Sequence, residues 1–244
     1  MNHGLWVGLS IATVLVVSIA KESSPAAVLW DMDGTLLDTE PLWDIAMADL
    51  ARRHGIEMTE ELRAATLGNA ARDAIGKVLL AAGVPETQWD FAADESWINA
   101  RVQVLFADGL PWRPGAMAAL DMLGDIGLPL ALVTNTVREL TDVALKTLGA
   151  HRFTVTVCGD EVRNAKPAPD PYLRAAQLLK VDARDCVVIE DSPTGARSGH
   201  DAGAATLVVG EEASGDRIPV LARQTRRADL VGLTIADLNA ALRA

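Results

Sequence analysis

The stretch Ala26-Ala27-Val28-Leu29-Trp30-Asp31-Met32-Asp33-Gly34-Thr35-Leu36-Leu37-Asp38 decides the architecture. Its first five residues are an unbroken apolar run, which predicts a short strand buried on both faces. Polarity then changes abruptly. Asp31 ends the run, Asp33 follows two residues on, and Gly34-Thr35 supply the chemistry of a turn.

Downstream, helix-like sequence runs from Pro41 to His54, Pro41 suiting a first helical turn. Leu62–Leu67, Ala70–Ala82 and Trp89–Phe106 carry apolar residues at helical spacing, with a break at Gly83-Val84-Pro85. After Gly109 strands and helices alternate. Helices are predicted over Ala116–Ile126, Glu139–Leu148, Pro171–Leu179 and Gly195–Ala202, and strands over Leu128–Thr134, Thr154–Cys158, Cys186–Glu190 and Ala205–Val209. A final pair, Asp229–Val231 and Ile235–Leu242, closes the chain. Such alternation specifies an α/β fold with a doubly wound, Rossmann-like parallel sheet and right-handed crossovers. The expected organisation is a core from 26–39 and 109–244, interrupted by an all-helical insert at 40–108.

Upstream lies a different kind of sequence. Leu5–Ala20 is an almost continuous apolar run of 16 residues, closed by Lys21-Glu22-Ser23-Ser24-Pro25. It is shorter than the ~20 residues of a membrane span, and only His3 precedes it where a signal peptide carries Lys or Arg. A membrane anchor, an export signal and an upstream extension all remain open for residues 1–25. The extension is preferred, because the fold begins just after Pro25.

In parallel α/β sheets ligands bind at the carboxyl ends of strands. Four polar groups fall there: Asp31-Met32-Asp33-Gly34-Thr35, Thr134-Asn135, Lys166 in Asn164-Ala165-Lys166-Pro167, and Glu190-Asp191-Ser192. Singly, each has a plain structural explanation as a turn, a helix cap or a solvated charge. Together they put several carboxylates at one edge, where they repel one another unless a cation joins them. Oxygen ligands in that number favour Mg²⁺ with a phosphate oxygen. A Lys and a hydroxyl complete a cradle for phosphoryl oxygens. One carboxylate can accept the phosphoryl group, and a second, two residues on, can serve as general acid and then base.

On these four motifs, and over nearly all of residues 26–240, the sequence resembles the haloacid dehalogenase-like phosphohydrolases. The resemblance implies a Mg²⁺-dependent phosphatase of small phosphate monoesters, working through an aspartyl-phosphate. It implies Asp31 as nucleophile and Asp33 as general acid/base. Thr134, Lys166 and amides near Asn135 would hold the phosphoryl group. The metal would be held by Asp31, the Asp33 carbonyl and Asp191, with Glu190 a ligand or the partner behind one. The helical insert looks like a cap that closes over the site. Asp38-Thr39-Glu40-Pro41-Leu42-Trp43 is most similar to the sugar-phosphate phosphatases of this group, whose other members include phosphoglycolate phosphatases and β-phosphoglucomutases. The mutases usually carry a His soon after the first motif; here Leu42, Trp43 and Asp44 stand near that place. Dehalogenases generally lack the Asp found at Asp33. In the cap, Gly68-Asn69-Ala70-Ala71-Arg72 is the expected specificity segment. Arg72 would be its reading residue, Lys77 a weaker candidate, and Trp89, Trp97 and Trp112 possible walls of the cleft. A binding module on the same fold is the competing class, and loss of Asp31 or Asp33 would have marked it.

Bulk composition narrows the partners. The formal net charge is -11, a poor match to nucleic acid or to anionic membranes, so the expected partner is a small phosphorylated metabolite. Membrane contact is expected only if residues 5–20 act as an anchor. Two cysteines, Cys158 and Cys186, sit in strand-like runs and read as buried thiols of a cytoplasmic protein. No feature specifies an oligomeric state.

Overall fold

The computed structural model describes residues 24–66, 71–210 and 218–244. The apolar run Leu5–Ala20 and the segment Gly68-Asn69-Ala70 lie outside the described residues. Six parallel strands form one sheet in the order β3-β2-β1-β4-β5-β6. They are β1 (Ala27–Trp30), β2 (Leu130–Val133), β3 (Val155–Val157), β4 (Cys186–Glu190), β5 (Ala205–Val209) and β6 (Gln224–Arg227). β1 runs between β2 and β4, with Trp30 opposite Leu132 on one side and Ile189 on the other. The strand order reverses direction at β1, and the crevice outside the carboxyl ends of β1 and β4 is where a doubly wound sheet binds its ligand.

The period of two along β1 decides which side chain faces which layer. Val28 and Trp30 enter the larger core, shared with helices α5 (Ala116–Asp125), α6 (Arg138–Leu148) and α9 (Ile235–Arg243). Ala27 and Leu29 point the other way, into a core with Tyr172 and Ala175 of α7 (Asp170–Leu179). α8 (Pro193–Asp201) packs on β4 and β5. All four β1 residues are fully buried. This explains why the run shows no polar alternation.

Between β1 and α5 come four helices: α1 (Glu40–Arg53), α2 (Glu60–Thr66), α3 (Ala71–Ala81) and α4 (Phe91–Phe106). α1 packs on α3 and α4, and α3 on α2 and α4. His54 at the end of α1 pairs with buried Asp94 in the first turn of α4, Nε2 to Oδ1 2.9 Å. α4 also lies against α6, where the Gln103 amide donates to Glu139 at 3.2 Å.

One expected element is displaced. The last strand is not Asp229–Val231 but Gln224–Arg227, paired only with β5. All four of its residues are half-buried, and its guanidinium groups reach over neighbouring carbonyls: Arg226 to Ile218, and Arg227 to Asp229 and Val231. An edge strand that is half wet and charged gives no apolar pattern to read. Residues 229–231 form a turn instead, the Asp229 carboxylate accepting from the Val231 amide at 2.9 Å. Among the described residues no helix is long and apolar enough to cross a membrane.

Candidate active site

β1 and β4 end side by side, and their carboxyl ends carry the acidic groups. Asp31 follows β1 directly, Glu190 is the last residue of β4, and Asp191 comes next. One oxygen from each of these three lies within 4.8 Å of the others. The backbone must come close for this to happen. Gly34 has φ +81°, and a Cβ there would stand 2.0 Å from Asp191 Oδ2. This accounts for the glycine after Asp33 on two independent grounds.

Lys166 enters from the loop before α7 and is almost wholly buried. Its three ammonium protons are matched by three acceptors: Asp31 Oδ1 at 2.6 Å, Glu190 Oε1 at 2.7 Å and the Val133 carbonyl at 2.8 Å. Asn135 fixes that loop. Its side-chain oxygen accepts from the Lys166 amide at 2.9 Å, and its side-chain nitrogen donates to the Lys166 carbonyl at 3.1 Å. The Lys166–Pro167 peptide is cis.

Glu190 is completely buried. Oε1 accepts from Lys166 and from the Tyr172 hydroxyl at 2.8 Å. Oε2 accepts from the Asp191 amide at 3.1 Å, the Ser192 amide at 3.2 Å and the Ser192 hydroxyl at 3.0 Å. Asp191 is less occupied, with Thr35 donating to its Oδ1 at 3.2 Å.

Asp33 sits in a ring of threonine hydroxyls. Thr39 donates to Oδ1 at 2.6 Å, while Thr134 and Thr136 donate to Oδ2 at 3.1 and 2.7 Å. Thr39 is the residue that caps α1, yet its side chain makes no capping bond to the helix. A Thr cap is ordinarily worth ~1 kcal/mol. Here the hydroxyl serves the site instead of the helix.

The charges are out of balance. Burial, then the charge of Glu190, pushes the Asp31 carboxyl up to about 7, against the opposing pull of Lys166. Burial and the charges of Asp31 and Glu190 hold Asp191 well above the carboxylate range. Burial draws Lys166 down, but Asp31 and Glu190 outweigh it and keep the ammonium above its ordinary range. One buried cation therefore faces three carboxylates. A hard divalent cation with oxygen ligands fits this imbalance, with Asp31 and Asp191 offering oxygens. The five donors on Glu190 already fill its roughly four lone-pair sites.

The structure thus brings together Asp31, Asp33, Thr134, Asn135, Lys166, Glu190 and Asp191. The insert residues stand elsewhere. Exposed Arg72 stacks on Phe91, its guanidinium carbon 4.1 Å from the ring centroid, in an open cleft of about 400 Å³ with Lys77, Leu80 and Trp89. Lys77 donates to the Ala65 carbonyl, and the Trp89 indole donates to Val84. Trp97 lies under Arg53; Trp112, beyond the insert, bridges to Leu37 at the end of the first motif. A second cleft of about 270 Å³ opens beside Gly34 and Thr35, with Arg113 and Asp229 on its walls. Sequence reasoning passed over Tyr172, Thr39 and Thr136. Thr136 follows directly on Thr134-Asn135 and was within reach of it. Tyr172 reads as an apolar-face residue of α7, and only the third dimension shows where its hydroxyl goes.

Comparison with known proteins gives a consistent picture. The model of the haloacid dehalogenase-like hydrolases matches residues 25–203. The chain is 35% identical over 190 residues to hexitol phosphatase A of Escherichia coli (strain K12), covering 78% of this chain and 85% of that one. It is 32% identical over 178 residues to the phosphorylated carbohydrates phosphatase of Thermotoga maritima, covering 72% and 81%. The crystal structure of a HAD hydrolase, family IA, variant 3, from Entamoeba histolytica superposes with a TM-score of 0.78 at 21% identity, covering 89% of this chain and 99% of that one, a likeness of fold.

Proposed function

The chain belongs to the haloacid dehalogenase-like hydrolases and is a phosphoric monoester hydrolase of that family; on that premise we propose that it dephosphorylates sugar and sugar-alcohol phosphates with Mg²⁺, through an aspartyl-phosphate at Asp31. The observation that carries this reading is the convergence of Asp31, Asp191 and Lys166 at the carboxyl ends of β1 and β4. The names of the two curated relatives support the substrate class.

In the first half-reaction an Asp31 oxygen attacks phosphorus and the bond to the sugar oxygen breaks. That oxygen takes the proton of Asp33. In the second, Asp33 removes a proton from water, the water oxygen attacks phosphorus, and the bond to Asp31 breaks. Inorganic phosphate leaves and both carboxyl groups are restored. Lys166 and the Thr134 hydroxyl stabilise the charge on the phosphoryl oxygens. Thr134 has one proton, which it now gives to Asp33. Turning that proton to the phosphoryl group loosens Asp33 for its own proton transfer. Asp31, Asp191 and the Asp33 carbonyl would hold the Mg²⁺, which would supply the positive charge that offsets repulsion between Asp31 and an anionic substrate. Glu190 stands behind these groups as the anion that fixes Lys166. Helices α1–α4 act as the cap that shields the site from water.

The test is a panel of hexose and hexitol phosphates, assayed for released phosphate with Mg²⁺ and again with EDTA. Release that requires Mg²⁺ is expected. Metal-independent turnover contradicts the site, and an isomeric sugar phosphate accumulating in place of phosphate assigns a mutase.

A further inference from the structure

We propose that Tyr172 is a positioning residue of the phosphoryl-transfer site, whose hydroxyl commits Glu190 to bracing Lys166 and keeps it out of the cation's ligand set. The proposal rests on the phosphatase reading above. Tyr172 lies in the first turn of α7, fully buried, on the face that packs under the sheet. A Phe would satisfy the packing. The hydroxyl does something else: it donates to Glu190 Oε1 at 2.8 Å, the same oxygen that takes Lys166 at 2.7 Å. The Lys166 ammonium also lies 4.9 Å from the centre of the Tyr172 ring, within cation–π range. Tyr172 therefore touches both members of the Glu190–Lys166 pair.

Three further contacts show that Glu190 is placed with little freedom. Its other oxygen takes the Asp191 and Ser192 amides and the Ser192 hydroxyl. Gly195 in α8 leaves room for it, since a Cβ there would stand 1.7 Å from Oε1. Ser192 in turn caps α8 by accepting from the Gly195 amide at 3.0 Å. Yet one oxygen of this carboxylate lies within 4.8 Å of oxygens of Asp31 and Asp191. Without the Tyr172 hydroxyl, Oε1 keeps a single donor in a pocket closed to water, and its freed lone pair turns to whatever cation is near. Glu190 then divides its charge between that cation and Lys166, and Lys166 is held less firmly against Asp31 and the phosphoryl group.

The experiment is Tyr172→Phe in the full chain, which keeps the ring and removes one oxygen. Turnover is measured on p-nitrophenyl phosphate at saturating Mg²⁺, unfolding by thermal melt, and Mg²⁺ binding by calorimetry without substrate. The expected result is a kcat roughly tenfold lower, the scale of one charge-assisted hydrogen bond, with KM within about twofold. Mg²⁺ is expected to bind roughly threefold more tightly, since an added carboxylate ligand raises affinity. The melting temperature should fall by about 3–6 °C, the cost of that one hydrogen bond. An unchanged kcat, an unchanged or weaker Mg²⁺ affinity, or a kcat loss that tracks a large fall in melting temperature would each overturn the proposal. If the parent protein hydrolyses no phosphate monoester, the phosphatase reading fails, and the calorimetric comparison still decides the role of Tyr172.

Discussion

Asp31 is held in a form it cannot use while it carries a proton. Burial and the charge of Glu190 push its carboxyl from 3.8 up to about 7, and Lys166 offsets only part of this. The sign of the consequence follows from the shift. The folded value lies above the unfolded one, so the stability this group contributes is complete below its unfolded value and is lost as pH rises through about 7. A cation bound to Asp31 must displace that proton. Mg²⁺ affinity is therefore expected to rise with pH, by up to roughly tenfold per unit between about pH 6 and pH 7, and to level off beyond. Calorimetric titration of the substrate-free protein across this range checks it; a flat profile contradicts the electrostatic account. At this scale the sequence was generous where the chemistry is written in charged residues at strand ends. Asp31, Asp33 and Asp191 stand where the apolar runs of β1 and β4 stop, and the fold needs no carboxylate there. Tyr172 and Thr39 were hidden because each also has an ordinary local job, packing on α7 and starting α1.

Elements position these residues by close approach. α8 begins at Pro193, capped by Ser192, and its third residue, Gly195, faces Glu190 with no space for a side chain. Gly195→Ala is expected to destabilise the fold by about 1–3 kcal/mol, as overpacking does. It should also reduce turnover more than Tyr172→Phe does, because the whole carboxylate must move. Thermal melts and kcat on the same preparations check both, and a variant with parental stability and turnover would show that Glu190 is freer than its five hydrogen bonds imply. The central strands and the helices were legible because their faces are dictated by burial, as in β1, where every residue is enclosed. β6 was not, since Gln224-Thr225-Arg226-Arg227 borrows its order from β5 and from guanidinium contacts to carbonyls. The turn at Asp229 resembles a strand in sequence because Leu230 and Val231 are apolar, and apolarity alone does not separate a strand from a turn.

The whole molecule carries a net charge of -11, yet the proposed substrate is an anion. The two are reconciled by locality: a small, largely buried cluster would be governed by Lys166 and the proposed cation and not by the distant surface. The alternation of strand and helix after Gly109 corresponds to the sheet, and the helical spacing between Pro41 and Phe106 to four consecutive helices without a strand. How that insert meets the core was outside the reach of sequence, because contacts such as Gln103 with Glu139 join residues far apart in the chain. In the proposed function the cap selects which monoester reaches Asp31, and the chemistry is assigned to Asp31 itself. The most direct measurement is to trap the intermediate. Protein turning over a sugar phosphate with Mg²⁺ is quenched and reduced with borohydride, which converts an aspartyl-phosphate to homoserine, and position 31 is read by mass spectrometry. Homoserine at position 31, dependent on substrate and absent from Asp31→Asn, is the expected result. Phosphate release without homoserine at that position, or with the label on another carboxylate, would contradict the assignment of Asp31 as the nucleophile.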